Sequence, residues 1–293
     1  MSAIIQLTFD GSLVRNQHQV ALRDLAQSMM AIQSAADRAC LDVLHGDVWK
    51  HQRLPRQHYD YVEFIVGQPQ AGSYIIDFFS EQAGAIVARM KRAIVTPYAI
   101  AVEEAGEEVY TLGHQIEARR DMAKSAGKLV SYEELDTHDM PLIKRTYGDR
   151  SINKEFGQML TPVAREPGGL MKLVMKESDD DPVQTFEFDS DAAKRFKKII
   201  SLKQLGAPVV YEGTIRELDR GPTDKVRNFR GKFINVSNQK TVIIHIAHKE
   251  DFSRLVPLLN SDEPIKIIAA PVIEFSSYDP VGGDIQFLEI YHV

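Results

Sequence analysis

Residues 209–218 read VVYEGTIREL, and they open the run of segments that decides the fold of the last third of the chain. The segment is predicted to form a strand. Gly213 stands in its middle, where a residue without a side chain permits the bend that a small barrel needs. Four further strands are predicted downstream, at residues 232–236, 241–247, 265–274 and 285–291.

A helical stretch at residues 250–259 separates the third of these strands from the fourth. Three strands, a helix and two strands is the element order of the five-strand Greek-key barrel known as the OB-fold. Other small barrels, including SH3-like ones, are alternatives. The predicted fold class is α+β, with residues 207–293 forming a small five-strand OB-like β-barrel of a kind that binds nucleic acid or other proteins.

The chain begins with a different pattern. Ile5, Leu7 and Phe9 recur at period two, which predicts a strand over residues 3–9. From about residue 20 the apolar period changes to three and four, which predicts a long amphipathic helix that ends near Gly46. Cys40 adjoins the apolar side of this helix, so we expect it to fill the core rather than to react.

Two segments rich in Tyr, Val, Ile and Phe follow, at residues 59–66 and 73–79, and they predict a hairpin. Residues 83–105 are predicted to be helical, with a kink at Pro97. Residues 109–164 are predicted to form further helices, with breaks around Gly127, Pro141 and Gly148. We therefore predict an α+β domain over residues 1–165, arranged as strand, helix, hairpin and helices, and expect it to mediate self-association or partner binding.

Residues 166–206 are predicted to connect the two domains. Apolar runs at 170–175 and 183–188 flank an acidic turn and predict a hairpin. A short basic amphipathic helix follows at 192–202, carrying Lys194, Lys197 and Lys198. The sequence leaves open which domain this segment joins.

The single cysteine and the N-terminus predict a soluble cytoplasmic protein. One cysteine cannot form an internal disulfide, and a secreted chain of this length usually carries paired cysteines. The first residues lack the basic and apolar regions of a signal peptide, and no stretch approaches the roughly 18 apolar residues of a membrane span. We expect no membrane association.

Charge is distributed unevenly along the chain. The formal net charge is −6, which argues against coating nucleic acid by bulk attraction. Residues 190–232, however, contain eleven Lys and Arg against five Asp and Glu, so this segment carries +6 and the remainder −12.

Catalytic signatures are few. The chain contains no phosphate-binding GxxxxGK[ST] or GxGxxG motif and no GxSxG nucleophile motif, so we predict no cofactor and lean towards a protein without enzymatic activity. His245 and His248 point to opposite faces if their strand continues, which disfavours a shared metal ion. The dipeptide at 138–139 occurs in metal-dependent phosphohydrolases, but its partners cannot be placed. Carboxylates around residues 279–289 are interpreted as capping a glycine turn rather than binding a cation, so no metal site is predicted.

The loop between the first two barrel strands is the most suggestive feature. It surrounds one aromatic residue, Phe229, with basic side chains, and in an OB barrel this loop borders the binding groove. Base stacking on an aromatic ring, with Lys and Arg at the phosphates, is how such grooves hold single strands. The alternative is a solvated loop whose Phe229 tucks under the barrel. The predicted nucleic-acid-binding residues are Arg220, Lys225, Arg227, Phe229, Arg230 and Lys232, extended by Lys194, Lys197 and Lys198 of the basic helix.

Three short strings resemble a group of bacterial proteins. They are LRDLA at 22–26, GSYI at 72–75 and VYEGTI at 210–215. The chain is similar at these strings to uncharacterised bacterial proteins that have an α/β front half and a β-rich end and are often encoded in mobile or phage-defence gene neighbourhoods. The resemblance implies a bacterial setting and an accessory or sensing role beside other gene products. It implies no functional residue.

The leading hypothesis is a non-enzymatic binding or accessory subunit of a bacterial, anti-phage system, whose barrel contacts single-stranded nucleic acid or a partner protein. One alternative is a metal-dependent nuclease or phosphodiesterase with a non-standard site formed only in the fold. The other is a purely structural subunit of a homo-oligomer.

Overall fold

The computed structural model describes residues 3–16, 19–46, 48, 52–67, 74–80, 82–103, 112–127, 129–134, 140–178, 180–220, 229–261, 263–275, 277–279 and 282–291. The chain forms two compact units. Unit 1 comprises Met1–Gly106 and Lys144–Leu202, and unit 2 comprises Glu107–Ile143 and Lys203–Val293. Each unit is therefore built from two separate stretches of sequence. None of the described helices is long and apolar enough to cross a bilayer.

Unit 1 combines a five-stranded sheet with helices. Its strands are β1 Ala3–Gly11, β2 Val14–Arg15, β3 Gln19–Val20, β4 Ile65–Val66, β5 Tyr74–Ser80, β7 Gly169–Lys176 and β8 Gln184–Asp189. Its helices are α1 Leu22–His45, α2 Gly84–Val102, α4 Met140–Met159, of which residues 144–159 belong to this unit, α5 Thr161–Arg165 and α6 Ser190–Ile200. The strand order of the main sheet is β4-β5-β1-β7-β8, with every neighbouring pair antiparallel.

Unit 2 is centred on a closed barrel. Its strands are β6 Val130–Ser131, β9 Lys203–Leu205, β10 Val209–Asp219, β11 Phe229–Asn235, β12 Thr241–Ile246, β13 Ile265–Glu274 and β14 Ile285–Ile290. Its helices are α3 Leu112–Ser125 and α7 Lys249–Leu255. The described residues also form three 3₁₀ helices, at Arg56–Val62 in unit 1 and at Tyr132–Glu134 and Val256–Leu258 in unit 2.

The first strand and the first helix are confirmed. Ile5, Leu7 and Phe9 are fully buried in β1, as the period of two predicts. α1 ends at Gly46, which adopts a left-handed conformation and donates its N–H to the Asp42 carbonyl. Cys40 is free and buried, and burial raises the pKa of its thiol, so the prediction of a core-filling cysteine is confirmed.

The predicted hairpin of residues 59–66 and 73–79 is confirmed in part, because β5 forms and pairs antiparallel with β4, whereas most of the first segment is not a strand. Residues Arg56–Val62 form a 3₁₀ turn, and only Ile65 and Val66 pair with β5. The aromatic and β-branched composition of this segment is typical of a strand. Pro55 and the tight turn after it, however, keep most of the segment out of the sheet.

Strand β1 pairs with β5 along one edge and with β7 along the other. The pairing runs from Ile4 opposite Lys176 to Gly11 opposite Gly169, so the hairpin of β7 and β8 belongs to the first sheet. α6 follows it directly and buries Phe196 in the same core. The predicted boundaries at residues 165 and 206 therefore differ from the observed units, in which 166–202 complete the first and 107–143 join the second.

Gly148 does not interrupt a helix as predicted, because α4 continues through it. A methyl group at Gly148 would lie 2.9 Å from the Asp42 carboxylate. This glycine thus permits a close helix contact rather than a break.

The five predicted barrel strands and the intervening helix are confirmed, with bounds shifted by a few residues. The barrel closes in the order β10-β11-β12-β14-β13, because β10 pairs with both β11 and β13. Gly213 is the residue at which β10 changes partner, facing Asn235 on one side and Ile265 on the other. β12 and β14 are parallel, whereas the other pairs are antiparallel.

Helix α3 covers the outer face of β13 and β14. Ile116 forms a second apolar cluster with Leu205, Ile268 and Leu288, outside the barrel core. Arg119 fixes the helix further, because its guanidinium donates to the carbonyls of Leu205 and Gly206 at 2.7–3.0 Å.

Candidate nucleic-acid interface

The outer face of β11 and β12 is defined by the alternation of side chains along both strands. Phe229, Gly231 and Phe233 are buried, whereas Arg230 and Lys232 are exposed. The outward side chains of β12, which lie opposite them, are those of His245, Ile243 and Thr241. We call these outward residues of β11 and β12 the β11–β12 face.

Each ionisable side chain of the β11–β12 face lies next to a carboxylate. Arg230 contacts Asp219 at 3.0 Å, and Lys232 contacts Glu217 at 2.5 Å, both across to β10. The side chains of these two pairs are 41–61% exposed, so each pair contributes at most about 1 kcal/mol to stability. Such weak pairs can open when a phosphate competes with the carboxylate.

The third pair joins β12 to the loop before β14. His245 Nε2 lies 3.0 Å from Asp284 Oδ2, and the His245 carbonyl accepts a hydrogen bond from the Gln286 side chain. The side chain of Asp284 is only 16% exposed, so this pair is the least solvated of the three. It anchors the imidazole against the face rather than leaving it to rotate freely.

Phe229 does not offer its ring for stacking, and that prediction is wrong. Its side chain is 5% exposed, and its ring centroid lies 4.9 Å from that of Phe252 in the barrel core. The alternation along β11 turns Phe229 inward, because it stands one residue before the outward Arg230. The alternative considered from the sequence, in which Phe229 tucks into the barrel, is the observed one.

The remaining basic residues of the loop are only partly described. Arg220 is exposed at the end of β10, and its guanidinium lies 5.5 Å from the centroid of the Phe252 ring. This distance is within the range of a cation–π contact, which orients the Arg220 side chain towards α7. Lys225 and Arg227 lie outside the described residues.

The three lysines predicted to extend the surface belong to α6 and therefore to unit 1. Lys194 contacts Asp191 at 3.1 Å, and Lys198 is exposed. Lys197 donates to Thr161 Oγ1 at 2.9 Å, and burial lowers its pKa, an effect that Arg165 reinforces. The β11–β12 face thus carries Arg230 and Lys232, Arg220 lies at the end of β10, and the α6 lysines belong to unit 1.

The sequence did not indicate a cluster of tyrosines at one end of the barrel. Tyr132, Tyr211 and Tyr278 line a small crevice together with Asp279 and Asp284. The rings of Tyr132 and Tyr211 are 5.3 Å apart, and burial raises the pKa of all three tyrosines. Tyr132 comes from the 3₁₀ turn after β6, which pairs with β10 from a distant part of the sequence, so no local pattern signals it.

The histidines and the glycine turn do not form a metal centre among the described residues, where no group of three or more His, Cys, Asp and Glu side chains converges. His248 contacts Glu117 at 3.3 Å, whereas His245 contacts Asp284. In the described part of the turn, Asp279 accepts hydrogen bonds from the Gly282 and Gly283 N–H groups, as the turn interpretation predicts. The dipeptide at 138–139 lies outside the described residues.

No family model matches the chain, and no curated protein matches it significantly.

Proposed function

We propose that the chain is a non-enzymatic binding protein whose barrel is OB-like and holds single-stranded nucleic acid across the β11–β12 face. The observation that carries this proposal is the barrel's strand order with its one parallel pair. Counted along the barrel, the order is 1-2-3-5-4 with the third and fifth strands parallel, which is the arrangement of an OB-fold. The helix between the third and fourth strands supports the same assignment.

The location of the face supports nucleic acid as the ligand. In OB-folds, strands 2 and 3 and the loops between strands 1 and 2 and between strands 4 and 5 bind oligonucleotides. Here these are β11, β12, the loop that starts at Arg220 and the loop that carries Tyr278. Arg230 and Lys232 lie on the face, and Arg220 begins the loop between the first two barrel strands, so these predicted cations suit phosphates.

Bases require a flat partner, and Phe229 cannot provide it. Tyr278 is half-buried, and it lies beside Asp284, which contacts the face through His245. We therefore assign base stacking to Tyr278 in place of Phe229. The acidic net charge of the chain and the carboxylate beside each cation favour moderate, salt-sensitive binding over tight coating.

Fluorescence anisotropy with short single-stranded DNA and RNA at two salt concentrations tests the proposal. The wild-type protein is expected to bind, with an affinity that falls as salt rises. A triple variant, Arg220→Ala, Arg230→Ala, Lys232→Ala, is expected to weaken binding to all sequences and to reduce the salt slope by about one for each lost phosphate contact. Tyr278→Ala is expected to weaken binding without changing that slope, because it removes stacking and not charge.

The matched control is Lys172→Ala. Lys172 contacts Glu187 at 3.0 Å across two strands of unit 1, so it is an exposed cross-strand ion pair like those of the face. Its loss is expected to leave oligonucleotide binding unchanged. Failure of the wild type to bind any oligonucleotide at low salt contradicts the proposal, as does full binding by the triple variant.

A further inference from the structure

Unit 1 contains a polar pocket that is separate from the barrel. It has a volume of about 200 Å³ and lies between α1, the segment 52–59 and α4. The charged and polar side chains that line it are those of Asp37, Arg38, Gln52, Arg53, Tyr59 and Glu155. This volume lies below the roughly 300–1,000 Å³ of pockets for drug-sized molecules, so it suits one small polar group.

Two carboxylates from different helices meet in this pocket. Burial raises the pKa of Asp37 of α1, against the opposing effects of the hydrogen bond from Gln33 and the charge of Arg38. Burial also raises the pKa of Glu155 of α4, against the charges of Arg38 and Lys154, and the charge of Asp37 adds to the rise. The positive charge of Arg38 therefore does not offset the effect of desolvation on the pKa of either carboxylate.

The internal cation is already engaged. Arg38 donates to the Gln52 carbonyl at 2.9 Å, which ties α1 to the segment that closes the pocket. Two other lining side chains are exposed, Arg53 and Tyr59, the latter 51% exposed. The pocket thus has an acidic interior, with a flat ring and a cation at its exposed side.

We propose that this pocket binds a small molecule through a guanidine-type edge, that is, two parallel N–H donors on a planar group. A carboxylate accepts such a pair of donors in a bidentate arrangement, which no single ammonium can match. The exposed Tyr59 ring can cover the planar group, and Arg53 can contact an anionic substituent. A free guanidino compound and a guanine base both supply this edge, and the experiment below separates them.

Isothermal titration calorimetry tests the inference with two candidate ligands and a matched control for each. L-arginine and guanosine monophosphate carry both the edge and an anionic group. L-lysine and adenosine monophosphate are their matched controls, because each keeps the anionic group but lacks the planar pair of parallel N–H donors. We expect one member of the first pair to bind and its control to bind at least roughly tenfold more weakly, as expected for the loss of a hydrogen bond to a charged group.

Three variants locate the site. Asp37→Asn and Glu155→Gln are each expected to weaken binding roughly tenfold or more, because they remove the charged acceptors. Arg53 is exposed, so Arg53→Ala is expected to leave the fold intact. This variant is expected to bind the anionic probes more weakly but to bind agmatine, which lacks the carboxylate, as the wild type does. Glu187→Gln, on the strands of the same unit, is the control and is expected to bind normally.

Binding of L-arginine alone identifies a free guanidino ligand, and binding of guanosine monophosphate alone identifies a guanine base. The inference is wrong if none of the probes binds, or if binding survives in the Asp37→Asn, Glu155→Gln double variant while that variant unfolds cooperatively. The pocket belongs to unit 1, whereas the oligonucleotide test concerns the barrel of unit 2. A negative result in the pocket titrations therefore does not count against oligonucleotide binding by the barrel.

A stability measurement adds a prediction that needs no ligand. The pKa of Glu155 is raised in the folded protein above its unfolded value of about 4.3, so ionised Glu155 opposes folding at neutral pH, and this cost disappears as pH falls below about 4. Glu155→Gln is therefore expected to raise the melting temperature at pH 7, with a difference that shrinks towards pH 4. An equal or lower melting temperature for the variant at pH 7 contradicts this account of the pocket.

Discussion

Replacing Asp42 with alanine is expected to destabilise the protein by about 3–5 kcal/mol, the usual cost of breaking a buried ion pair by removing one partner. Asp42 accepts a hydrogen bond from Arg89 Nε at 2.5 Å, and both side chains are less than 10% exposed. Asp149 also contacts Arg89, at 2.6 Å, but it is one-third exposed. The variant therefore leaves a buried guanidinium with one partly solvated carboxylate. Urea unfolding of the two proteins measures the difference.

Two further variants make the test specific. Glu187→Ala removes one partner of the exposed pair with Lys172, and it is expected to cost at most about 1 kcal/mol. The double variant Asp42→Leu, Arg89→Met removes the buried charges together, and it is expected to recover most of the loss, because no charge is left unpaired in the core. If Asp42→Ala lowers the free energy of unfolding no more than Glu187→Ala does, the ion pair of Asp42 and Arg89 is not a major source of stability.

Replacing Gly213 with alanine is expected to disrupt the barrel, at a cost of at least about 3 kcal/mol. The added methyl group would lie 2.1 Å from the Ile234 carbonyl oxygen and 2.5 Å from the Phe233 ring. The Ile234 oxygen is a backbone atom and cannot rotate away as a side chain could. The strands β10 and β11 must therefore move apart at Gly213, where β10 changes partner. Hydrogen exchange is expected to lose protection in β10, β11 and β13, with protection retained in β1, β5 and β7.

Gly127→Ala is the control for this prediction. A methyl group at Gly127, also in unit 2, meets no atom within 4 Å, so the substitution is expected to change stability little. Equal stability of Gly213→Ala and the wild type would mean that β10 is not bent tightly against β11 at this position.

Local pattern was sufficient for the elements whose buried face repeats within a few residues. The strand predicted at residues 209–218 is observed as β10, and the order of five strands and one helix predicted a small closed barrel. The same reasoning found β1 and α1, because Ile5, Leu7 and Phe9 are buried as their spacing requires.

Partners distant in sequence were beyond local pattern. The apolar run at residues 170–175 predicted one strand of a hairpin, but nothing in it indicates that this strand pairs with β1 rather than with the barrel. Composition also failed at Tyr59 and Tyr61, since strand-forming residues there occupy a 3₁₀ turn after Pro55. The conformation of Arg56–Val62 depends instead on its packing against the rest of unit 1.

The candidate sites show the same division. The cations of the barrel loop were visible as a cluster, whereas the inward orientation of Phe229 depends on strand register, which the loop composition does not reveal. Asp37 and Glu155 are 118 positions apart and come from different helices. Their meeting is a property of tertiary packing, so no motif could have identified the pocket.

The interleaving of the two units has a consequence for the order in which the chain is made. A ribosome delivers β1 early, but the strand that covers its second edge emerges only after residues 107–143, which belong to the other unit. Those residues must in turn wait for the barrel strands that follow residue 203. A nascent chain stopped at residue 165 would carry two unfinished structures at once, and the exposed edge of β1 would be a place for chaperones to bind.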